Sequence, residues 1–348
     1  MNPSVLLKLE DTDGYQGYGE ACPECNTSGE NLLTIRKDLN KISWRISFFQ
    51  VESFDTVWTF IQGLEHCKIG ASTRCLIEMA LIDLWANRHG INLPDFFQLQ
   101  NDQPLRYSLV LPLMSAQSLK QLVETLPAFQ PPSVKIKLDR DLEENLKRIE
   151  VLQSVYNCPI RVDLNGSWSF GLARQIIPAL IKKGVTSFEQ PLAKENLGGM
   201  SKLLKCFRSK IQLVADESLA SYEDAKELIK REAVNAFNIN LSRVGGIGQA
   251  LAIYKLAKEH GIPCQLGAHN GETRLLTRLG LLLASMPEVK LQAIECCLGT
   301  WLSTKLLAAN PISLNRQGIV DVQKAFPSIG LGSDVKRIPV FEEQLMAA

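Results

Sequence analysis

The 348-residue chain lacks any block of like charges, and its formal net charge is only +1. Nothing in it therefore invites nucleic acid or an anionic membrane surface as a partner. No stretch approaches the roughly 18 uninterrupted apolar residues of a membrane-spanning helix. The start, Met1 to Glu10, has neither the charged leader nor the apolar core of a secretory signal. Low-complexity segments are absent too. The nine cysteines are odd in number and scattered, which suits buried thiols in a reducing, cytoplasmic compartment better than a disulfide framework. Cys22 with Cys25 and Cys296 with Cys297 lack the second ligand pair a zinc site needs. What remains, 45% apolar and 22% charged, is the composition of a globular protein longer than one ordinary domain.

What is present is a repeating pattern between Lys135 and Glu295. Short β-branched or apolar runs each close on an isolated polar residue: Lys137, Asp163, Glu189, Asp216, Asn240, His269 and Glu295. The steps between them are 26, 26, 27, 24, 29 and 26 residues, the length of one strand, one helix and two loops. This is the signature of a (β/α) barrel with its active groups at the C-terminal strand ends. Arg106 to Leu111 supplies the first strand. Amphipathic stretches such as Ser118–Leu126, Leu142–Val155, Gly171–Lys182 and Gly248–His260 fill the gaps.

Residues 1–104 form a separate α+β unit. Val5–Glu10 and Tyr15–Ala21 flank the turn Asp11–Gly14 as a hairpin. Ser72 is the expected N-cap of a helix running from Thr73 to about His89, with Gly90 as its stop. That helix is apolar on nearly every side, hence buried between two bodies; Glu78 and Asp83 interrupt it and are expected on a solvated edge. Asn101–Pro104 marks the crossing into a barrel of residues 105–310. A turn-rich tail, about 311–348, is expected to return to the first unit.

On a strand, Lys135 and Lys137 share one face while Val134, Ile136 and Leu138 share the other. The apolar residues must meet the surrounding helices, so both lysines point into the barrel. Two buried ammonium groups need opposing carboxylates, which Asp163, Glu189 and Asp216 bring on the next three strands. Three carboxylates exceed what two lysines balance. Their oxygen-only chemistry calls for a hard cation, Mg²⁺ with Mn²⁺ as a substitute. Asn165 is expected on the Asp163 face, orienting a ligand or water. The alternative, a purely structural ion-pair network, is disfavoured by five charged groups in register at strand ends. Lys137, crowded by Lys135, is expected to have a lowered pKa and to act as a base. It would remove a proton α to a carboxylate, leaving a metal-stabilised enediolate.

Taken together, Lys135-x-Lys137, Asp163-Leu-Asn165, Glu189-Gln-Pro191, Asp216-Glu-Ser218 and Ser242-Arg-Val-Gly-Gly246 resemble the enolase superfamily, specifically its muconate-lactonizing branch. Gly17-Tyr-Gly-Glu20 and the Ala71 to Leu84 stretch resemble that family's capping-domain signatures. The resemblance implies an N-terminal α+β capping domain over a modified (β/α)₇β TIM-type barrel. It also implies Asp163, Glu189 and Asp216 as metal ligands, Lys137 as base and Lys135 as the group that keeps it poised. Glu217 and Glu295 would stand behind the ligands or face a small-molecule carboxylate substrate, and a homo-oligomer is implied.

The chain departs from that pattern in several places. Asn240 occupies the usual second-lysine position, and an amide exchanges no protons, so racemisation with two lysines loses a partner. An o-succinylbenzoate synthase-like dehydration keeps its base and is the leading expectation. The alternatives are an epimerase or racemase of N-acylamino acids or dipeptides, using Lys137 with His269, a cycloisomerase, or a metabolite-binding homologue without activity. His269 resembles a base position of the mandelate racemase branch but lacks that branch's orienting carboxylate on strand 6. Only four residues precede Val5, where the family carries a further strand and a mobile loop; that lid is expected to be missing, trimmed or supplied by a neighbour. The Asp-x-Asp of dipeptide epimerases on strand 8 is replaced by Glu295, Cys296 and Cys297.

Overall fold

The computed structural model describes residues 4–42, 52–99, 104–126, 129–208, 210–269, 271–296, 312, 314–326 and 329–331. The expected junction at 101–103, Cys297, the 298–310 segment and much of the tail lie outside these residues.

The N-terminal unit is built on an antiparallel hairpin, β1 (Val5–Glu10) and β2 (Gln16–Ala21). Asp11 Oδ1 accepts from the amides of Asp13 and Tyr15, and Gly14 takes φ 83° to complete the reversal. The helix Ala71–His89 lies directly on β2. Their approach depends on glycine, since a Cβ on Gly19 would come within 1.9 Å of the Leu76 carbonyl oxygen. Helices Leu32–Asn40 and Phe54–Gly63 also belong to the unit.

The long helix differs from expectation at its start and along its face. It begins at Ala71, after Gly70, and Ser72 is not its N-cap. Glu30 supplies the cap from a remote segment: its carboxylate accepts from the Ser72 amide and hydroxyl, each at 3.0 Å. Pairing anions with free helix amides is favourable from any chain position that reaches them. Glu78 and Asp83 are buried rather than solvated, at 1% and 0% exposure. Asp83 accepts from the amides of Tyr18 and Leu331, at 2.9 and 2.7 Å.

Eight parallel strands form the closed barrel in the order β10-β3-β4-β5-β6-β7-β8-β9. They are β3 (Tyr107–Leu111), β4 (Val134–Lys137), β5 (Ile160–Asp163), β6 (Ser187–Glu189), β7 (Gln212–Ala215), β8 (Ala236–Ile239), β9 (Cys264–Leu266) and β10 (Ala293–Cys296). The helices Ala116–Thr125, Leu142–Val155, Phe170–Lys182, Leu197–Phe207, Tyr222–Lys230, Ile247–Glu259 and Arg274–Ala284 connect them. This is the modified (β/α)₇β barrel with a cap. Val134, Ile136, Val162, Phe188 and Leu213 are fully buried, as the alternation of strands inside a helical ring requires. The described tail touches both units: Gly318 accepts from the Tyr107 amide at 2.8 Å, and Gly330 donates to Ile91 at 3.0 Å.

Buried acids fasten cap to barrel. Of the seven connecting helices, Ile247–Glu259 starts after Gly246, which has no side chain to cap it; Glu78 of the cap helix accepts from the Ile247 and Gly248 amides instead. Glu20 of β2 accepts from the Thr273 amide and hydroxyl, both at 2.6 Å, and from the Leu276 amide at 2.9 Å. Glu20→Ala leaves these donors unsatisfied in a buried interface, which costs about 1–3 kcal/mol. Urea unfolding should show that loss; a change under 0.5 kcal/mol would mean the contacts fasten nothing.

Candidate active site at the barrel mouth

The strand register brings the charged residues together. Lys137 pairs with Asp163 across β4 and β5, and Asp163 with Glu189 across β5 and β6. Asp216 follows β7 directly. All three carboxylates are buried, at 3%, 2% and 6% exposure.

Below the mouth, five side chains from five strands close a ring. Lys135 Nζ lies 2.7 Å from Glu189 Oε1 and 2.6 Å from Glu295 Oε2. Glu189 Oε2 accepts from Gln265 at 2.8 Å. Arg161 Nη1 donates to Gln265 Oε1 at 2.6 Å and to Glu295 Oε1 at 2.9 Å. Burial alone would lower the Lys135 pKa, but Glu189 and Glu295 overrule it and hold the ammonium well above the usual lysine range. Lys135 is thereby committed. Lys137, on the same strand face, has a 28% exposed side chain and lies 3.8 Å from Asp163 Oδ2.

A second network surrounds Asp216. Its Oδ1 accepts from Asn238 at 3.2 Å, Asn240 at 2.6 Å and Arg243 at 2.6 Å. Asn240 thus holds a carboxylate where the related pattern has a proton carrier. Gln190, at φ 37°, accepts from the amides of Asp216 and Ser218 and tethers the ends of β6 and β7. Asn165 is not a continuation of β5. At φ 42° it turns away, its amide donating to Asp163 Oδ1 and its side chain to Glu217 Oε1, both at 3.0 Å. Burial, then the neighbouring Asp216 and Asp163 carboxylates, push Glu217 up to about 8.

His269 follows β9 and is 3% exposed. Its Nδ1 lies 3.3 Å from Glu24 Oε1, and neither ring nitrogen has a hydrogen-bond partner among the described residues. Glu24 comes from the loop after β2 and also meets Arg243 Nη2 at 2.8 Å.

The charge balance differs from the two-lysine reckoning, because Arg161 and Arg243 enter the mouth as further cations and Glu295 as a further anion. Among the described residues no three His, Cys, Asp or Glu side chains already converge as a cation cage. Asp163, Glu189 and Asp216 are turned towards lysine, amide and arginine donors. Their chemistry nevertheless fits a hard divalent ion: the donors are all oxygen, buried and adjacent. Burial foremost, with neighbouring carboxylates adding to it, holds Asp163 and Glu189 above their ordinary range, a strain that a cation between them would relieve.

Strand alternation, the signal that turns Lys135 and Lys137 inward, also places Arg161 with Asp163, and Asn238 with Asn240, on inward faces. Glu24 had no such signal, since its position depends on how the cap docks.

Residues 118–337 match the sequence model of the family described as "Enolase C-terminal domain-like". An L-amino acid-D/L-Glu epimerase of Sulfurimonas denitrificans is 24% identical over 267 residues, 76% of each chain. Among solved structures, a dipeptide epimerase from Cytophaga hutchinsonii, complexed with Mg and the dipeptide D-Ala-L-Val, superposes with TM-score 0.79 at 22% identity. That superposition covers 95% of this chain and 88% of the other. The 2-chloromuconate cycloisomerase of Rhodococcus opacus 1CP gives TM-score 0.78 at 26% identity, covering 91% and 88%.

Two measurements probe the site's electrostatics. Arg161→Met removes one partner of a buried charge ring and should cost roughly 3–5 kcal/mol in denaturant unfolding; a loss below 1 kcal/mol would show that the ring is not held as a unit. Glu272, half-buried on the His269 loop, is pushed up to about 8, chiefly by desolvation. The folded state therefore keeps a proton there that the unfolded chain releases near the ordinary glutamate value, so stability should fall as pH rises from about 5 to 8. Glu272→Gln should flatten that fall, and an unchanged slope would assign it elsewhere.

Proposed function

Because the chain belongs to the enolase superfamily, in its muconate-lactonizing-type branch, we propose that it is an isomerase of the epimerase type. Its substrate would be a small N-acylated or peptide-linked amino acid, inverted at the carbon α to the carboxylate. The relatives named above are epimerases and a cycloisomerase, and they favour this alternative over the o-succinylbenzoate-type dehydration expected from the sequence.

The observation that carries the reading is the division between the two lysines of β4. Lys135 is fixed by two carboxylates, whereas Lys137 reaches the mouth with, among the described residues, only a distant contact to Asp163. Lys137 Nζ removes the α proton from one side of the substrate. His269, on a strand three places round the barrel in the other direction, returns a proton from the other side through Nε2. Asn240 moves no proton and anchors Asp216. Lys135 keeps its proton throughout and holds Glu189 and Glu295 in place. A divalent cation, Mg²⁺ in this reading, would be held by Asp163, Glu189 and Asp216 and would supply the positive charge that steadies the carboxylate as it gains electron density.

Lys137→Ala should lower turnover by at least about 10²-fold, the usual worth of a positioned proton-transfer group, while Mg²⁺ binding measured by calorimetry survives. Retained turnover would overturn the assignment of the base. An NMR screen with N-acylamino acids and dipeptides in D₂O, with Mg²⁺, should show deuterium entering the α position of both antipodes. Loss of water from a succinylbenzoate precursor, with no exchange in amino acid derivatives, would return the protein to the dehydration reading.

A further inference from the structure

We infer that Glu24, carried by the capping domain, is the positioning residue for His269, so that the second proton-transfer group is assembled across the cap–barrel interface. The inference rests on the epimerase reading for its catalytic consequence. The pairing itself stands on geometry.

An imidazole has two nitrogens with opposite roles, and the partner of one decides what the other can do. With a carboxylate facing Nδ1, the neutral ring carries its proton on Nδ1 and presents a basic lone pair at Nε2. The same carboxylate steadies the imidazolium once Nε2 has taken a proton. His269 meets these conditions. Its ring is 3% exposed, Glu24 Oε1 is 3.3 Å from Nδ1, and Nε2 has no hydrogen-bond partner among the described residues. The Nδ1 contact is at ion-pair distance without hydrogen-bond alignment, as resting catalytic contacts often are before substrate tightens them. The ring edges a pocket that Tyr107, Glu272 and Glu295 also line, and the Glu24 carboxylate that faces it also carries Arg243.

Glu24 is itself held. Its other oxygen meets Arg243 Nη2 at 2.8 Å, and Arg243 Nη1 donates to Asp216 Oδ1 at 2.6 Å. Burial opposes ionisation of Glu24, but contact with His269 and Arg243 draws its carboxyl far below the ordinary range, so it is a carboxylate at neutral pH. Among the described residues, no barrel strand supplies this anion to His269 Nδ1. A chain whose cap loop is displaced therefore keeps Lys137 in place but has an unoriented imidazole, and the two half-reactions respond differently to the loop.

The test uses the full-length protein and two readouts. First, ¹⁵N-edited NMR of the imidazoles is assigned among the four histidines with His269→Gln. Neutral wild-type His269 should be the Nδ1–H tautomer, and Glu24→Ala, which removes the facing acceptor, should move the ring towards Nε2–H. A wild-type Nε2–H tautomer, or an unchanged tautomer in a folded Glu24→Ala variant, overturns the pairing. Second, exchange is followed from each antipode of whichever screened amino acid derivative the wild type turns over. Glu24→Gln should slow exchange of the antipode served by His269 about 100-fold, with the other antipode changed less than threefold, and Glu24→Asp should restore part of the loss. Equal slowing of both antipodes would make Glu24 a merely structural contact. Absence of exchange in the wild type would refute the epimerase reading, leaving the tautomer measurement to decide the pairing.

Discussion

The interaction on which the rest of the mouth depends is the ring of Lys135, Glu189, Gln265, Arg161 and Glu295. Ionised side chains enter a barrel core only if each charge meets opposite charge and every remaining polar atom is bonded. Closing the ring across five strands meets most of that requirement, with Arg161 Nη2 left without a partner among the described residues. The consequence is asymmetry between two lysines that look equivalent on β4. One is braced between Glu189 and Glu295, and the other, two residues nearer the mouth, meets only Asp163, at 3.8 Å, among the described residues.

The carboxylates lie beside donors from several elements: the lysines of β4, Asn238 in β8 and Asn240 just after it, Gln265 in β9, and Arg243 in the short helix that follows β8. Arg243 links the layers, because it joins Asp216 of the barrel to Glu24 of the cap. The same cap places Glu20 and Glu78 on the amino ends of two barrel helices. Docking of the cap and completion of the mouth are therefore not separate events; buried acids of one unit satisfy donors of the other, and misplacing the cap would strand both sets.

Much of this was legible in the chain. The 26-residue period and the two-residue alternation of Val134, Lys135, Ile136 and Lys137 identify the barrel and the inward lysines, because strand geometry allows little else. The family resemblance followed from motifs at or just after strand ends of the barrel together with the Gly17–Glu20 and Ala71–Leu84 stretches of the cap. Where the reading went astray, the cause was long-range. Ser72 looked like a cap because local signals favour serine there, but Glu30 arrives from forty residues away. Glu78 and Asp83 looked solvated because charge on a helix usually is, and only their partners on other elements make burial tolerable. Asn165 looked like a strand residue until its positive φ turned it towards Glu217.

The sequence by itself determined the architecture and the residue types of the site, since periodicity and alternation are local properties that any stretch of chain carries. Tertiary structure decided which of two lysines is braced by two carboxylates, that Asn240 serves Asp216, and that a carboxylate from the cap faces His269. Those outcomes depend on distances between segments far apart in the chain, and only closure of the barrel under its cap fixes them.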